Sequence, residues 1–141
     1  MAVNDVAAKI ADRIVGTSLI RTERGDFDWA FHFTQSAVLR VECPWRILAD
    51  GRIALGGRDH GQKFGLPEPL DGATESRRLL LNKTVQAVRT RDDTGDLIIE
   101  FGDRTALEVL NTSSGYEGWQ FRDARLQVIA LGGGELVFLE P

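Results

Sequence analysis

The strongest constraint on the fold is an alternation of apolar and polar residues with a period of two. Every second position is aromatic in one segment and aliphatic in the next: Phe27, Trp29, Phe31 and Phe33, then Ala37, Leu39 and Val41. Successive side chains of a β-strand point to opposite faces, so both segments are predicted to be strands with one apolar face. Helical crossovers between the strands are absent, which favours antiparallel over parallel sheet.

Turn residues predict two hairpins. Asp50-Gly51 lies at the centre of the strand-like segment 46–55, and a type I′ turn needs positive φ at both of its central residues. The three glycines 132–134 lie within a second predicted hairpin, over residues 126–140. Another strand is predicted at Tyr116–Phe121.

The first fifteen residues are predicted to form a helix. Their apolar side chains recur at helical spacing, at Val6, Ile10 and Ile14. Asn4 or Asp5 can accept the free backbone N–H groups at its start. Gly16 stands where a left-handed C-terminal cap is needed.

The second half of the chain repeats the apolar pattern of the first. The alternation over 29–41 recurs over 97–109 at an offset of 68 residues, and upstream the offset is 66. This predicts a duplicated helix-strand-strand-strand unit, with pseudo-repeats at about 4–55 and 74–121 and a short second helix at Thr74–Leu81. A flexible glycine-rich loop is predicted between them, over residues 56–74.

These elements predict one mainly-β domain over residues 1–141. The expected architecture is an antiparallel curved sheet, either barrel-like or a two-sheet sandwich, with a short N-terminal helix.

The charge balance argues against nucleic acid as a partner. Residues 1–70 carry 9 basic and 9 acidic side chains, and residues 71–141 carry 8 and 12. Neither half has the basic excess that a phosphate backbone requires. No long apolar span or secretory signal is present, and Cys43 is the only cysteine, so we expect a cytoplasmic protein without a membrane partner.

The segment Tyr116–Phe121 combines a carboxylate with large aromatic side chains. In a strand, Glu117 would share a face with Trp119 and Phe121. A buried unpaired charge is costly, so Glu117 must be solvated at a sheet edge, protonated, or paired. Two interpretations stay open: a pocket carboxylate with a raised pKa, or a buried polar group that fixes strand register.

The same segment carries a family resemblance. The pattern Ser-x-x-Tyr-Glu-x-Trp, formed by Ser113, Tyr116, Glu117 and Trp119, resembles small bacterial domains of unknown function, as does the final Gly-Gly-Glu-Leu-Val-Phe-Leu strand. Some of these domains are associated with toxin–immunity loci. The resemblance implies an immunity-type role and supplies no catalytic residue.

The other reactive side chains do not form a recognised site. His32 and His60 lack the spacing of a metal site, so no metal is expected. Cys43 could be a nucleophile, but a lone cysteine at the end of an apolar strand is typical of a small buried hydrophobe. We therefore expect neither an enzyme nor a bound cofactor.

Two features suit recognition of a partner. Arg58, His60 and Lys63 form a positive loop tip that can meet an acidic partner. Trp45 follows Cys43-Pro44, where the chain changes direction, and is a candidate partly exposed anchor.

The favoured function is a non-catalytic binding protein of immunity type, whose acidity suits a basic toxin or nuclease as partner. The alternative is a small-molecule-binding β-barrel with Glu117 in an aromatic pocket. A third hypothesis is assembly through strand edges, and a homodimer stays open. The predicted binding residues are Glu117, Trp119, Tyr116, Trp45, Arg58, His60 and Lys63.

Overall fold

Two antiparallel β-sheets dominate the structure, a computed structural model that describes residues 5–140. The elements are α1 (Val6–Ile14), β1 (Leu19–Arg24), β2 (Trp29–Phe33), β3 (Val38–Val41), β4 (Trp45–Ala49), β5 (Arg52–Gly56), α2 (Gly72–Leu80), β6 (Val85–Thr90), β7 (Leu97–Phe101), β8 (Thr105–Val109), β9 (Trp119–Arg122), β10 (Gln127–Ala130) and β11 (Leu136–Leu139). The predicted mainly-β antiparallel fold is confirmed, and the two sheets do not close into a barrel.

Each sheet takes strands from both halves of the chain. The first sheet has the order β1-β2-β3-β9-β10-β11, and the second has the order β5-β4-β8-β7-β6. The exchange occurs where β3 pairs with β9 and where β4 pairs with β8. After β3 and after β8, the chain therefore passes from one sheet to the other.

The buried side chains form one apolar cluster that draws on both sheets. Phe31 of the first sheet meets Trp45 of the second with ring centroids 5.1 Å apart in a T-shaped arrangement. Trp119 and Phe121 are also fully buried. Burial of each such side chain stabilises the fold by roughly 1.5–3 kcal/mol.

The two helices cover the edge strands of the sheets. The apolar stripe of α1 packs against β6, and α2 packs against β1. Asp5 caps α1, because its Oδ1 accepts a hydrogen bond from the Ala8 N–H at 3.0 Å. Gly16 adopts φ +87° just beyond the helix end, which confirms the predicted left-handed residue. The other candidate cap, Asn4, lies outside the described residues. Neither helix within residues 5–140 is long and apolar enough to cross a bilayer.

The second helix begins earlier than the predicted Thr74. It starts at Gly72 because Asp71 caps it, with Oδ1 accepting from the Ala73 N–H at 3.0 Å. The glycine-rich loop therefore ends at Asp71 and not at residue 74. Its two arms are joined by the hydrogen bond from Gly61 N–H to the Leu70 carbonyl, 2.8 Å long.

Both predicted hairpins are present. Asp50 and Gly51 have φ of +53° and +77°, as a type I′ turn requires, and they join β4 to β5. Strands β10 and β11 pair in the C-terminal hairpin.

The order helix-strand-strand-strand occurs twice, as α1-β1-β2-β3 and α2-β6-β7-β8. The first strand of each set has a register shift at the same place, between Leu19 and Arg21 and between Val85 and Ala87. These matches agree with the duplication, which remains a prediction from the sequence.

One predicted strand residue lies outside its strand. Phe27 is 89% exposed, because β2 starts only at Trp29 and the chain turns between Gly25 and Asp28. The Gly25 N–H donates to the Asp28 carbonyl at 2.7 Å, which closes this turn.

Candidate functional site

Two neighbouring clefts flank the short connection between β3 and β4. The first, about 290 Å³, is called the Phe27 cleft after the exposed ring on its wall. The second, about 280 Å³, is called the Tyr116 cleft. Glu42, Cys43 and Pro44 line both clefts and separate them.

The Tyr116 cleft is built by the β8–β9 loop, residues 110–118. Ser113 Oγ accepts hydrogen bonds from the Gly115 N–H at 3.1 Å and the Tyr116 N–H at 2.9 Å. This local turn competes with strand pairing, so β9 begins at Trp119 and not at the predicted Tyr116. The turn leaves the Tyr116 ring 82% exposed.

The prediction that Glu117 and Trp119 share one face of a strand is wrong. Glu117 is exposed in the β8–β9 loop and accepts a hydrogen bond from Gln120 Nε2 at 3.0 Å. It is neither a buried pocket carboxylate nor a buried register-fixing group. Trp119 is 1% exposed, and its indole N–H donates to the Gly95 carbonyl at 2.8 Å, so its side chain belongs to the core.

Asn111 lines the Tyr116 cleft and carries a buried, unpaired acceptor. Asn111 Nδ2 donates to the carbonyls of Thr94 at 3.1 Å and Leu131 at 3.3 Å, which fixes the amide orientation. Asn111 Oδ1 is buried and has no hydrogen-bond partner within residues 5–140. An amide oxygen can only accept, but Gly118 covers this one (a Cβ at Gly118 would lie 2.1 Å from it), so a donor in the cleft does not reach it.

The charged side chains of this cleft are all acidic. Glu42 and Glu117 line it, and neither forms an ion pair with another residue of the described chain. Among residues 5–140, no lysine or arginine lines this cleft. The cleft therefore combines an exposed aromatic face with acceptors, and such a surface can hold a cation.

The thiol between the two clefts is a poor nucleophile. Burial, together with the neighbouring carboxylates of Asp96 and Glu42, raises the pKa of Cys43 to about 12. The thiolate is the reactive form, so Cys43 stays protonated and unreactive near neutral pH. The alternative of a small buried hydrophobe describes its environment better.

The prediction that Trp45 is a partly exposed anchor is wrong. Trp45 begins β4, faces the core and is only 3% exposed, because the chain has already crossed to the second sheet at Pro44. It meets Trp29 in a T-shaped contact with ring centroids 5.1 Å apart. Trp45 still lines the Phe27 cleft, and its Nε1 is buried with no hydrogen-bond partner among residues 5–140.

The predicted positive loop tip is divided in the structure. His60 Nδ1 accepts from the Gly72 N–H at 3.0 Å, and the ring packs against Trp29, so His60 supports the start of α2. Arg58 is exposed and lines the Phe27 cleft, whereas Lys63 is exposed and lines neither cleft.

The histidines do not form a metal centre with other side chains. His32 Nε2 lies 2.6 Å from Glu23 Oε1, on an exposed part of the first sheet. Within residues 5–140, no group of three or more histidine, cysteine, aspartate or glutamate side chains is placed to hold a metal ion.

Sequence reasoning missed Phe27, Glu42 and Asn111 as cleft residues. Phe27 continues the aromatic alternation of β2, which concealed its position in a turn. The Gly25-Asp26 dipeptide before Phe27 is typical of a turn and was the signal that the β1–β2 turn includes Phe27. No local signal exists for Asn111, since its role depends on carbonyls from two distant segments. Comparison of the chain with protein-family models, curated proteins and solved structures found no match.

Proposed function

We propose that the protein is a non-catalytic binding protein of immunity type, whose Tyr116 cleft receives a basic segment of a protein partner. One observation carries the proposal: the cleft combines an exposed aromatic ring with two carboxylates, and no cation among residues 5–140 lines it. A lysine or arginine side chain of the partner supplies the missing donors.

The contact would have two parts. The cationic group lies on the face of Tyr116, a cation–π contact worth about 0.5–1 kcal/mol at an exposed site. Its N–H groups donate to Glu42 and Glu117, which are both exposed. The formal net charge of -4 favours encounter with a basic partner, because complementary charge speeds association.

The small-molecule barrel is disfavoured on geometry. Its pocket required Glu117 inside a closed aromatic interior, and Glu117 is exposed in a loop of an open two-sheet structure. Assembly through strand edges remains a hypothesis with no specific contact to support it.

A peptide titration tests the chemistry of the cleft directly. The probe is acetyl-Gly-Arg-Gly-amide, compared with acetyl-Gly-Gln-Gly-amide, which is matched in size without the charge. We expect only the arginine peptide to shift the NMR signals of Tyr116 and the Asn111 side-chain amide. The shift is expected to disappear with Glu117→Gln plus Glu42→Gln and to persist with Glu135→Gln, which neutralises an exposed acid outside both clefts.

Capture of the natural partner tests the function. The proposal is supported by a basic protein that wild-type and Glu135→Gln both retain from the native lysate. Tyr116→Ser should fail to retain that protein, and moderate salt should release it from the wild-type chain. Equal retention by Tyr116→Ser, or retention of an acidic protein only, contradicts it.

A further inference from the structure

We infer that the Phe27 cleft is a second binding site, which holds a main-chain turn of a polypeptide and hydrogen-bonds its peptide carbonyl through the Trp45 indole N–H. That this polypeptide belongs to the protein partner rests on the proposed function. That the cleft binds a peptide carbonyl does not depend on the proposed function.

The inference starts from two tryptophans in equivalent places. Trp119 begins β9 and lies opposite Val41 of β3, and Trp45 begins β4 and lies opposite Val109 of β8. Val41 and Val109 are related by the same 68-residue offset that matches the two halves of the chain. Each tryptophan therefore enters the core at the corresponding point of its own sheet.

The two indoles differ in their hydrogen bonding. The Trp119 N–H donates to the Gly95 carbonyl, which belongs to the turn between β6 and β7. The Trp45 N–H has no partner within the described chain, although it is equally buried. Gly57 of the cleft wall lies against this nitrogen, so a carbonyl in the cleft reaches the N–H when the Gly57 backbone shifts. An indole nitrogen can only donate, so it needs an oxygen acceptor.

Turn length explains the difference. The β6–β7 turn is closed by a hydrogen bond from Arg91 N–H to the Asp96 carbonyl, and the β1–β2 turn by one from Gly25 to Asp28, so the latter is two residues shorter. In the long turn Gly95 is buried and presents its carbonyl to the indole. The matching residue of the short turn, Phe27, is 89% exposed.

The Phe27 cleft is lined both by the short turn and by Trp45. In the other half of the chain, the longer turn places its Gly95 carbonyl against the Trp119 indole instead. Its volume of about 290 Å³ lies at the lower limit of small-molecule pockets, which start at roughly 300 Å³. A short backbone turn, like the one that meets Trp119, matches this space and supplies the acceptor.

The charges of the cleft favour a neutral group over an anion. Arg24 and Arg58 line it without an ion-pair partner in residues 5–140, but so do Asp26 and Glu42. The third acid, Asp28, is neutralised by Arg40 at 3.2 Å. These opposite charges balance, so a peptide carbonyl fits better than a carboxylate or phosphate.

The test follows the indole N–H signals by ¹⁵N NMR, with N-methylacetamide as a probe for the peptide group. We expect the probe to shift the Trp45 signal and to leave the Trp119 signal unchanged. We also expect the Trp45 N–H to exchange with solvent at least tenfold faster than that of Trp119. Acetate at the same concentration is the matched anion and is expected to have the smaller effect.

A turn graft gives the second measurement. Replacing Asp26-Phe27 with the four-residue sequence of 92–95 lengthens the short turn to match the long one. We expect the graft to abolish the response to N-methylacetamide and to slow Trp45 N–H exchange at least tenfold.

Two results would overturn the inference: a Trp45 N–H that is already as protected as that of Trp119, or a wild-type response to acetate alone. A buried water as the sole partner would give the first result. If the graft fails to fold, the titration of the wild-type protein with N-methylacetamide and acetate still tests the inference. Tyr116→Ser is expected to leave the N-methylacetamide response intact. A failure of the proposed basic-partner function can therefore be distinguished from a failure of this inference.

Discussion

Replacing Trp119 and Trp45 by phenylalanine, one at a time, measures what the single indole hydrogen bond contributes. Both side chains are almost completely buried, at 1% and 3% exposure, so both substitutions remove similar apolar area. They differ in one respect. Trp119→Phe leaves the buried Gly95 carbonyl without its donor, whereas Trp45→Phe removes a donor that has no partner among residues 5–140.

The magnitude follows from that difference. A buried polar group left unsatisfied costs about 1–3 kcal/mol, and the cavity left by each smaller ring adds a similar amount in both variants. We therefore expect Trp119→Phe to lower the free energy of unfolding by about 2 kcal/mol more than Trp45→Phe does. For a chain of 141 residues this corresponds to a Tm difference of about 8 °C.

Urea unfolding followed by far-ultraviolet circular dichroism is the appropriate assay, because it does not depend on tryptophan fluorescence. The slope of the unfolding free energy against urea must be unchanged for the comparison to hold. Equal destabilisation by the two substitutions would refute the reasoning, since it would mean that the Trp45 N–H has an acceptor as good as the Gly95 carbonyl.

Three further predictions concern other parts of the fold. Burial raises the pKa of Asp123, but hydrogen bonds from Arg13 and from backbone N–H groups outweigh this and hold it below the ordinary 3.8. The stabilisation by Asp123 is thus complete above about pH 5 and is lost as the pH falls through the lowered value. Acid titration of wild-type and Asp123→Asn, followed by circular dichroism, should show a smaller loss of stability at low pH in the variant. Gly132→Ala places a Cβ 2.4 Å from backbone of the β8–β9 loop and should cost about 1–3 kcal/mol in urea unfolding. Gly102→Ala, which meets only a flexible glutamine end at 3.2 Å, should cost about 1 kcal/mol or less. Cys43 should react with a disulfide reagent at pH 8 about a thousandfold more slowly than an exposed thiol; a rate within tenfold of free cysteine would contradict its burial.

The regular elements were predictable because their signals are local. Period-two alternation identifies β2 and β3, and helical spacing with Asp5 and Gly16 identifies α1. Asp50-Gly51 specifies its hairpin through the backbone conformations that the turn requires. In each case the residues that carry the signal are also the residues that form the element.

The candidate site was less predictable because it depends on distant segments. Trp45 is buried by β8 and Trp29, neither of which its neighbours in sequence reveal. Glu117 lies outside its predicted strand because the Ser113 hydroxyl binds the backbone of the preceding turn. The acceptor character of Asn111 depends on carbonyls 17 and 20 residues away.

The exchange of strands between the sheets has a consequence for synthesis on the ribosome. Strand β4 pairs with β8, so the backbone edge of β4 that meets β8 gains its hydrogen-bond partners only after Val109 has been synthesised. Loop closure over such a separation is entropically costly, and non-local pairing of this kind slows folding. The nascent first half therefore leaves one backbone edge of β4 unpaired until β8 has been translated, and the two sheets complete each other only then.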